Sequence, residues 1–374
     1  MSRVGGQVYA AGRGVVCGLG ANRHEFAERI FAGECGVEPR VRTASWNVPT
    51  NVACELPIDS WSPGQRSGDP LPVALSAARQ ALTEAGDPDP SGVALVLAST
   101  KADLGGVAGE GDGFGQPARL ARRLADSLGL GEVLACVSTA CASGLMGLSL
   151  AARRLARGEQ ERVLVVGVDL LTEFVMAGFG CLHALDRDPC RPFDVKRRGV
   201  SLGEGAGALL LSVHRKDSMG VRVAGYGASN DACHALRPAE DGSGLLLAAS
   251  RALRHAGVTA HDIDVVHVHG TGTYANDLSE ARGLGDLYGG LTPPAFGSKA
   301  QIGHTLGAAG VIETLVAIES LQRGWVPENV GLNEPGVDLR LDLVRTSRRL
   351  QVARRALKVG GGFGGVQAAL VLEA

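Results

Sequence analysis

One cysteine lies where a predicted strand turns into a predicted helix. The stretch 137–144 reads VSTACASG and places Cys141 among small residues. The residues EVLACV that lead into it are typical of a buried strand, and LMGLSLAARRLARG after it has apolar side chains at helical spacing. Backbone N–H groups and the positive end of the helix dipole stabilise a thiolate at such a position, so we expect a lowered thiol pKa. Cys141 is a candidate nucleophile, and a small buried hydrophobic side chain is the alternative.

Two glycine-rich segments add histidines that could work with this cysteine. The first, VVHVHGTGTYANDLSEARG, carries His269, and the second, GSKAQIGHTLGAAGVIETL, carries Lys299 and His304. For the second segment the alternative is an ordinary capped helix with a surface lysine, and the spacing of a phosphate-binding loop is absent. A cysteine and two histidines form a set suited to acyl-transfer chemistry.

The first segment contains further polar residues whose role stays open. His267 and His269 alternate with valine and therefore share one strand face. They could be a pair of hydrogen-bonded histidines in the sheet, or two metal ligands, in which case a third ligand is needed. Thr271 and Thr273 flank Gly272 and could present hydroxyl groups to a ligand. A Ser/Thr-rich turn is equally common for structural reasons.

Two more glycine-rich segments precede apolar strands. They are PFDVKRRGVSLGEGAGALLL and GGGFGGVQAALVLE. Glycine allows a backbone to come close to a ligand. Phe363 is the aromatic residue among the second group of glycines, and it predicts either a hinged aromatic flap or a tight turn with one packed ring.

The composition narrows the classes of function. The chain has 374 residues, 45% hydrophobic and 20% charged, with a net charge of -2 and 4% aromatics. These values argue against nucleic-acid binding and against attraction to an anionic membrane. The N-terminal residues lack a leader pattern and no run reaches spanning length, so eight scattered cysteines predict free thiols in a cytoplasmic protein.

Strands and helices alternate along the chain, which predicts an α/β layered fold. Strands are predicted at 92–100, 133–138, 162–169, 207–214, 221–229, 263–270 and 364–374. Helices are predicted at 71–86, 117–129, 145–158, 242–257 and 308–324. GEGAGALLLS and GGFGGVQAALVLE resemble each other, which predicts two related halves joined near 215–221. A glycine-rich loop at 101–117 is predicted to be mobile.

Five motifs in order make the chain resemble a known family. TACASG, RPFD..RRG...GEGAG, HGTGT...ND..E, K....GH..GAAG and GFGG occur in the order and context of the β-ketoacyl-ACP synthases of the thiolase superfamily. The likeness extends over nearly the whole chain and includes some similarity to ketosynthases of aryl polyene and type II polyketide pathways. It implies a thiolase-like fold with two related βαβαβαββ halves in an α-β-α-β-α arrangement. The halves are expected at 1–216, with the nucleophile, and 217–374, with both histidines and the gating loop.

The resemblance also implies roles for individual residues. Cys141 would accept the acyl group, and His269 and His304 would donate hydrogen bonds to the thioester oxygen of a malonyl unit as carbon dioxide leaves. Lys299 would pair with Glu280 and order the site.

Other matching positions would bind the substrate. Thr271 and Thr273 would contact the phosphopantetheine arm, and Phe363 would gate the pocket. The backbone N–H groups of Cys141 and Phe363 would form the oxyanion hole. Val200 and Gly361 are smaller than residues common in the family at these positions, and Gln367 replaces an asparagine. These departures predict a roomier entrance for bulky or rigid chains.

The implied reaction is a decarboxylative condensation of an acyl group with malonyl-ACP to give β-ketoacyl-ACP. It implies acyl carrier protein as a partner, no metal and no resident cofactor, and a homodimer or a heterodimer with a ketosynthase-like chain across EVLACVS. The alternative function is a non-catalytic chain-length-factor-like partner subunit, which the retained Cys141 disfavours. A degradative thiolase would carry a second reactive cysteine where Phe363 lies, and a chalcone-type synthase would lack the equivalent of His304.

Overall fold

The computed structural model describes residues 6–57, 68–102, 116–336 and 340–374. Within these ranges ten strands form one sheet in two halves of the same topology. The first half has the order β1-β7-β6-β4-β5 and consists of β1 (Tyr9–Cys17), β4 (Ala94–Ala98), β5 (Glu132–Val137), β6 (Arg162–Asp169) and β7 (Gly205–Ser212). The second has the order β8-β14-β13-β9-β10 and consists of β8 (Arg222–Asn230), β9 (Val265–His267), β10 (Ala295–Phe296), β13 (Arg355–Gly362) and β14 (Val366–Glu373).

The two halves match in strand direction as well as in order. β4 is parallel to β5 and β6, just as β9 is parallel to β10 and β13. The remaining pairs in each half are antiparallel. A pairing of Tyr9 with Arg222 connects β1 to β8 and so joins the half-sheets. The related halves predicted from the two glycine-strand motifs are therefore present as a repeated topology.

Nine helices of the described residues pack on and between these half-sheets, and four short strands form two small ribbons. The helices are α1 (Arg23–Phe31), α2 (Leu71–Glu84), α3 (Pro117–Leu128), α4 (Ser143–Ala156), α5 (Glu173–Cys181), α6 (Ser243–Ala256), α7 (Tyr274–Tyr288), α8 (Lys299–Ile302) and α9 (Ala309–Arg323). The ribbons pair β2 (Glu38–Pro39) with β3 (Val52–Ala53) and β11 (Trp325–Val326) with β12 (Arg348–Arg349).

Alternating side chains of the strands produce five layers. In β4, Val96 contacts the core that contains α4 and α9, whereas Leu95 and Leu97 face the core formed with α2 and α3. In β13, Ala356 joins the central core, and Leu357 packs with α6 and α7. Because both half-sheets face α4 and α9, these two helices form the middle of an α-β-α-β-α arrangement. The predicted fold class is confirmed.

Two glycines bring the central helices into contact at their N-terminal ends. A Cβ atom added to Gly144 in α4 would lie 2.7 Å from the nitrogen of Val311, and one added to Gly310 in α9 would lie 2.4 Å from the nitrogen of Leu145. The contact is reciprocal, since each glycine faces the backbone of the other helix. Cys141 lies just before α4, and His304 lies just before α9. The crossing therefore places the two sequence motifs beside each other.

The structure changes some of the sequence-based expectations. The strand predicted at 263–270 has strand pairing only over Val265–His267, because the chain turns at Gly270 and Gly272, whose φ angles are +50° and +80°. β5 is half-buried instead of buried, since it is the edge strand beside β4. Most of the loop 101–117 lies outside the described residues. Among the described residues, none of the helices has both the length and the apolarity needed to cross a membrane.

Candidate active site

The candidate nucleophile occupies a tight turn between β5 and α4. Ala140 has a φ of +50°, a conformation that costs energy for a residue with a side chain. Ser143 holds this turn, because its Oγ donates to the carbonyl of Ala140 at 2.6 Å and accepts from the N–H of Thr139 at 2.9 Å. Cys141 follows directly and is buried. A strained turn fixed at both sides presents the sulfur in one defined direction.

Burial determines the protonation state of this sulfur. Desolvation raises the pKa of the Cys141 thiol to about 12, although the charge of Lys299 opposes the shift. The buried carboxylates of Asp169 and Glu313 raise it further. The sequence-based expectation of a lowered pKa is wrong in this structure, because the loss of hydration outweighs the start of the helix. The resting nucleophile is a neutral thiol.

His269 and His304 face each other in the same pocket. Their ring centroids are 5.5 Å apart and the rings are nearly perpendicular. Desolvation, the largest cause for both, and the nearby charge of Lys299 hold the pKa of each imidazole well below its usual range. Both rings are therefore neutral at physiological pH, and each has one N–H donor and one acceptor nitrogen.

The tautomer of His269 follows from its neighbour. Lys299 Nζ lies 3.2 Å from Nδ1 of His269, and an ammonium group can only donate. Nδ1 is therefore the acceptor, and the ring proton is on Nε2. Lys299 also donates to the carbonyl oxygen of His269 at 2.5 Å. This lysine fixes both the position and the donor direction of the ring.

The ion-pair partner of Lys299 differs from the expected one. Lys299 Nζ lies 2.5 Å from Glu313 Oε1, and Glu313 Oε2 lies 2.7 Å from Lys358 Nζ. Glu280, the expected partner, instead accepts from the backbone N–H groups of His269 at 2.5 Å and of Gly270 at 2.8 Å. The carboxylate of Glu280 is occupied by these hydrogen bonds to the turn that follows β9. Glu313 in α9 therefore provides the negative charge that pairs with Lys299.

Glu313 and Lys358 were missed by the sequence analysis. Glu313 is a charged residue in the apolar run AGVIETLVAIESL, and Lys358 is a charged residue in RALKVGGG. Buried charges in such runs need partners, so each run held a usable signal. Burial raises the pKa of Glu280 to about 7, even though its two backbone hydrogen bonds and Lys358 act in the opposite direction.

A cavity of about 530 Å³ connects these groups to the surface. Predicted site residues that line it are Cys141, Val200, His269, Thr271, Thr273, His304, Gly361 and Phe363. Lys299 and Glu280 are buried behind it. The hydroxyl groups of Thr271 and Thr273 lie 2.9 Å apart at its wall. The structure thus brings residues of all five sequence motifs to one pocket.

The glycine-rich C-terminal segment is more ordered than its composition predicts. Gly360 to Gly362 lie within β13, and the turn is confined to Phe363, Gly364 and Gly365, the last two with φ of +83° and +77°. The half-buried ring of Phe363 packs against Phe179 with centroids 5.6 Å apart.

The space beside Gly361 is partly filled. A Cβ atom at this position would lie 2.8 Å from Oε1 of Gln367, whose amide nitrogen donates to Asp231. The expected widening at Gly361 is therefore offset by Gln367, and Val200 is the remaining small residue at the pocket wall.

His267, the other histidine of the first motif, faces away from this cavity. Its Nδ1 is 3.0 Å from the carbonyl of Val268, its Nε2 is 3.3 Å from Ser298 Oγ, and the ring packs against Phe296. Of the two interpretations of the pair, these contacts match the hydrogen-bonded one for His267. The eight cysteines are free thiols, of which Cys181 and Cys233 are exposed.

Comparison with known proteins agrees with this geometry. The profile of the β-ketoacyl synthase N-terminal domain matches residues 69–217, and that of the C-terminal domain matches residues 221–333. The protein named 3-oxoacyl-[acyl-carrier-protein] synthase 2 from Rhizobium meliloti (strain 1021) is 30% identical over 98% of each chain.

Solved structures with the same fold point to the same family. The ishigamide ketosynthase/chain length factor superposes with a TM-score of 0.89 at 29% identity over 99% of each chain. A ketosynthase in complex with its chain length factor from Xenorhabdus doucetiae superposes with a TM-score of 0.87 at 26% identity, over 99% of this chain and 98% of that one. With the thiol, the two neutral imidazoles and the repeated half-sheets, these likenesses show that the chain belongs to the β-ketoacyl synthase family.

Proposed function

We propose that this protein is a condensing enzyme that joins an acyl group on Cys141 to a malonyl unit on acyl carrier protein. The observation that carries the proposal is the convergence of one buried thiol and two neutral imidazoles on a single cavity. A thiol accepts an acyl group, and two neutral N–H donors suit the negative charge that develops on a carbonyl oxygen.

The first half reaction transfers the acyl group. The sulfur of Cys141 attacks the thioester carbonyl of an acyl carrier protein, and a new carbon–sulfur bond forms as the bond to the phosphopantetheine sulfur breaks. Because Cys141 is a neutral thiol at rest, its proton must leave during the attack, and the departing pantetheine sulfur takes up one proton. The overall exchange is proton-neutral and needs no oxidant or metal.

The second half reaction forms the new carbon–carbon bond. The carboxylate of a malonyl thioester leaves as carbon dioxide, and the electron pair moves to the α-carbon and the thioester oxygen. His269 and His304 donate N–H bonds to that oxygen. The enolate carbon then attacks the acyl thioester on Cys141, and the sulfur leaves as a thiolate. This thiolate takes up one proton from solvent water, which is the one proton that the condensation consumes. The product is a β-ketoacyl thioester extended by two carbons.

Other groups at the cavity wall orient the substrate. Thr271 and Thr273 contact the phosphopantetheine arm, which belongs to the carrier protein, so no cofactor resides in this chain. The backbone N–H groups of Cys141 and Phe363 bind the acyl oxygen. A Cβ atom at Gly362 would lie 3.2 Å from the nitrogen of Cys141, a contact that supports this pairing of the two turns.

A second ketosynthase-like chain pairs along β5. The support is that β5 is an apolar, half-buried edge strand that leads into Cys141. The ishigamide ketosynthase/chain length factor and the Xenorhabdus doucetiae complex each combine a ketosynthase with a chain length factor, which supports a heterodimer with such a chain or a homodimer.

Intact-protein mass spectrometry with a panel of acyl carrier proteins tests the function. We expect an acyl adduct that peptide mapping assigns to Cys141, and a β-ketoacyl product once malonyl carrier protein is added. Cys141→Ala should form no adduct, whereas Cys181→Ser, which removes an exposed thiol, should behave like the wild type. A wild-type protein that takes up no acyl group from any carrier would indicate the non-catalytic partner role instead.

A further inference from the structure

Lys358 is a buried ionisable residue that the proposed reaction leaves unused. Its side chain is fully buried in β13. Only five of the 37 Lys and Arg residues in the chain are lysines, and Lys358 is one of them. A lysine presents a compact point charge, whereas arginine spreads the same charge over a planar guanidinium.

The contacts of Lys358 join three elements behind the histidines. Its Nζ lies 2.7 Å from Glu313 Oε2 in α9 and donates to the carbonyl of Val268, the residue before His269, at 3.2 Å. It also donates to the carbonyl of Val359 at 2.7 Å. All three N–H groups of the ammonium therefore have acceptors. Removing them would leave a buried carboxylate half-paired and a carbonyl beside His269 without its donor.

The two buried lysines share one carboxylate, which leaves excess positive charge under the imidazoles. The charged or titratable groups around Lys358 are Glu313 in α9, Lys299 in α8, Glu280 in α7 and His267 in β9. Lys299, Lys358 and the shared Glu313 together carry one net positive charge. Glu280 is half-protonated near neutral pH because burial raises its pKa to about 7. Burial lowers the pKa of Lys358 to about 8, so this lysine carries most of a positive charge at pH 7.

A neutral imidazole matters to a condensing enzyme for a chemical reason. A neutral ring can donate a hydrogen bond to an enolate and keep its proton, as a neutral electrophilic histidine does in other enzymes. An imidazolium would give its proton to the enolate carbon. The malonyl unit would then end as an acetyl thioester, and the acyl group on Cys141 would remain unused.

We propose that Lys358 is a positioning residue that holds His269 and His304 in the neutral state, through its shared pairing with Glu313 and its bond to the carbonyl of Val268. The positive charge opposes protonation of either ring, and the hydrogen bond fixes the strand end from which His269 projects. This inference rests on the proposed condensation for its consequence. For its effect on the rings it rests on the contacts of Lys358 and on its positive charge, which adds to the stronger effects of desolvation and of Lys299.

Lys358→Gln separates charge from hydrogen bonding, because glutamine keeps an N–H donor and has no charge. The primary readout is an NMR titration of selectively labelled histidines, assigned with His269→Ala and His304→Ala. In the wild type we expect both rings to stay neutral well below the pH at which an ordinary histidine is protonated. In Lys358→Gln we expect the ring pKa values to rise by about 1 unit, since one nearby charge has been removed. Lys216→Met, which removes an exposed lysine, should leave both rings unchanged.

The reaction products provide the second readout. As the pH falls from 8 to 6, Lys358→Gln should form increasing acetyl thioester relative to β-ketoacyl product, while the wild-type ratio stays constant. If glutamine prevents folding, Lys358→Arg keeps the charge and should keep wild-type ring pKa values. Unchanged rings in Lys358→Gln, or raised ring pKa values in Lys358→Arg, would overturn the proposal. The titration needs no turnover, so it decides the role of Lys358 even in a protein that fails to condense.

Discussion

A neutral thiol at residue 141 makes a specific prediction about reactivity. Desolvation raises the pKa of Cys141 to about 12, so thiolate is scarce at neutral pH. In a Cys181→Ser/Cys233→Ser background, which removes the two exposed thiols, alkylation of Cys141 should rise by about tenfold per pH unit between pH 7 and 9. Iodoacetamide labelling with peptide mapping measures this. A rate that levels off below pH 8 would show instead that the pKa is lowered.

Substitution of His304 should affect only one of the two proposed half reactions. Its imidazole is proposed to donate to the enolate oxygen and has no part in holding the acyl group. His304→Ala should therefore lose about 100-fold or more in malonyl decarboxylation and still form the acyl adduct on Cys141. Release of carbon dioxide and intact mass measure the two steps. His255→Ala, an exposed histidine on α6, should match the wild type. Condensation at the wild-type rate in His304→Ala would refute the role.

Val200 is the residue from which we predict a preference for bulky acyl chains. It is buried at the pocket wall in a cluster with Cys141, Leu202 and Leu306. Val200→Phe overpacks this wall, which costs about 1–3 kcal/mol, and should selectively reduce the loading of polyenoyl or aryl chains. A competition between saturated and polyunsaturated acyl carrier proteins gives the ratio. The prediction is wrong if the wild type prefers the saturated chain and if Val200→Phe leaves the ratio of the two loaded chains unchanged.

The sequence identified the residues of the pocket better than their partners. Cys141, His269 and His304 each lie in a glycine-rich motif at the end of a predicted element, and motif spacing is a local signal. The pairing of Lys299 with Glu313 depends on where α8 and α9 meet, and it could not be inferred from the spacing to Glu280. The thiol pKa likewise depends on burial, which only the assembled layers determine.

At the scale of elements, the crossing of α4 and α9 controls the site. Gly310→Ala would place a Cβ atom 2.4 Å from the nitrogen of Leu145, so the helices must separate. We expect at least about tenfold lower condensation activity and a lower melting temperature, because overpacked cores shift their backbones. Gly178→Ala is the matched control, since this helical glycine has no atom within 4 Å of the added Cβ. Wild-type activity in Gly310→Ala would show that the crossing tolerates separation.

Local sequence patterns predicted the helices and strands that have strong apolar periodicity. They failed for elements whose structure depends on tertiary contacts. The alternation and apolar runs behind β6 and α6 are strong, and both elements formed at the expected residues. α7 was missed because its sequence YANDLSEARGLGDLY mixes polar residues and glycines without a clear apolar stripe. β13 was not predicted because glycines fill its end, yet these glycines are held in the sheet by pairing with β14.

At the scale of the whole molecule, β5 predicts assembly. An apolar edge strand with half-buried side chains favours pairing with another chain. Sedimentation at assay concentration should give the mass of two chains, and Leu134→Lys, on this strand, should shift the equilibrium towards single chains. Leu247→Lys is the control, because it adds the same charge at an exposed position on α6 away from β5, and it should leave the equilibrium unchanged. An active single chain at that concentration would contradict the prediction.

The matching half-sheets also have a consequence for how such a site arises. Cys141 and His304 occupy corresponding places, each between the outermost strand of its half and the central helix of that half, α4 or α9. Gly144 and Gly310 repeat the same contact from opposite sides. A site of this kind needs two copies of one lobe, because each copy supplies a single turn to the helix crossing. Two such turns can take different tasks, so we expect one to carry the acyl group and the other to stabilise charge, a division that one lobe alone could not provide.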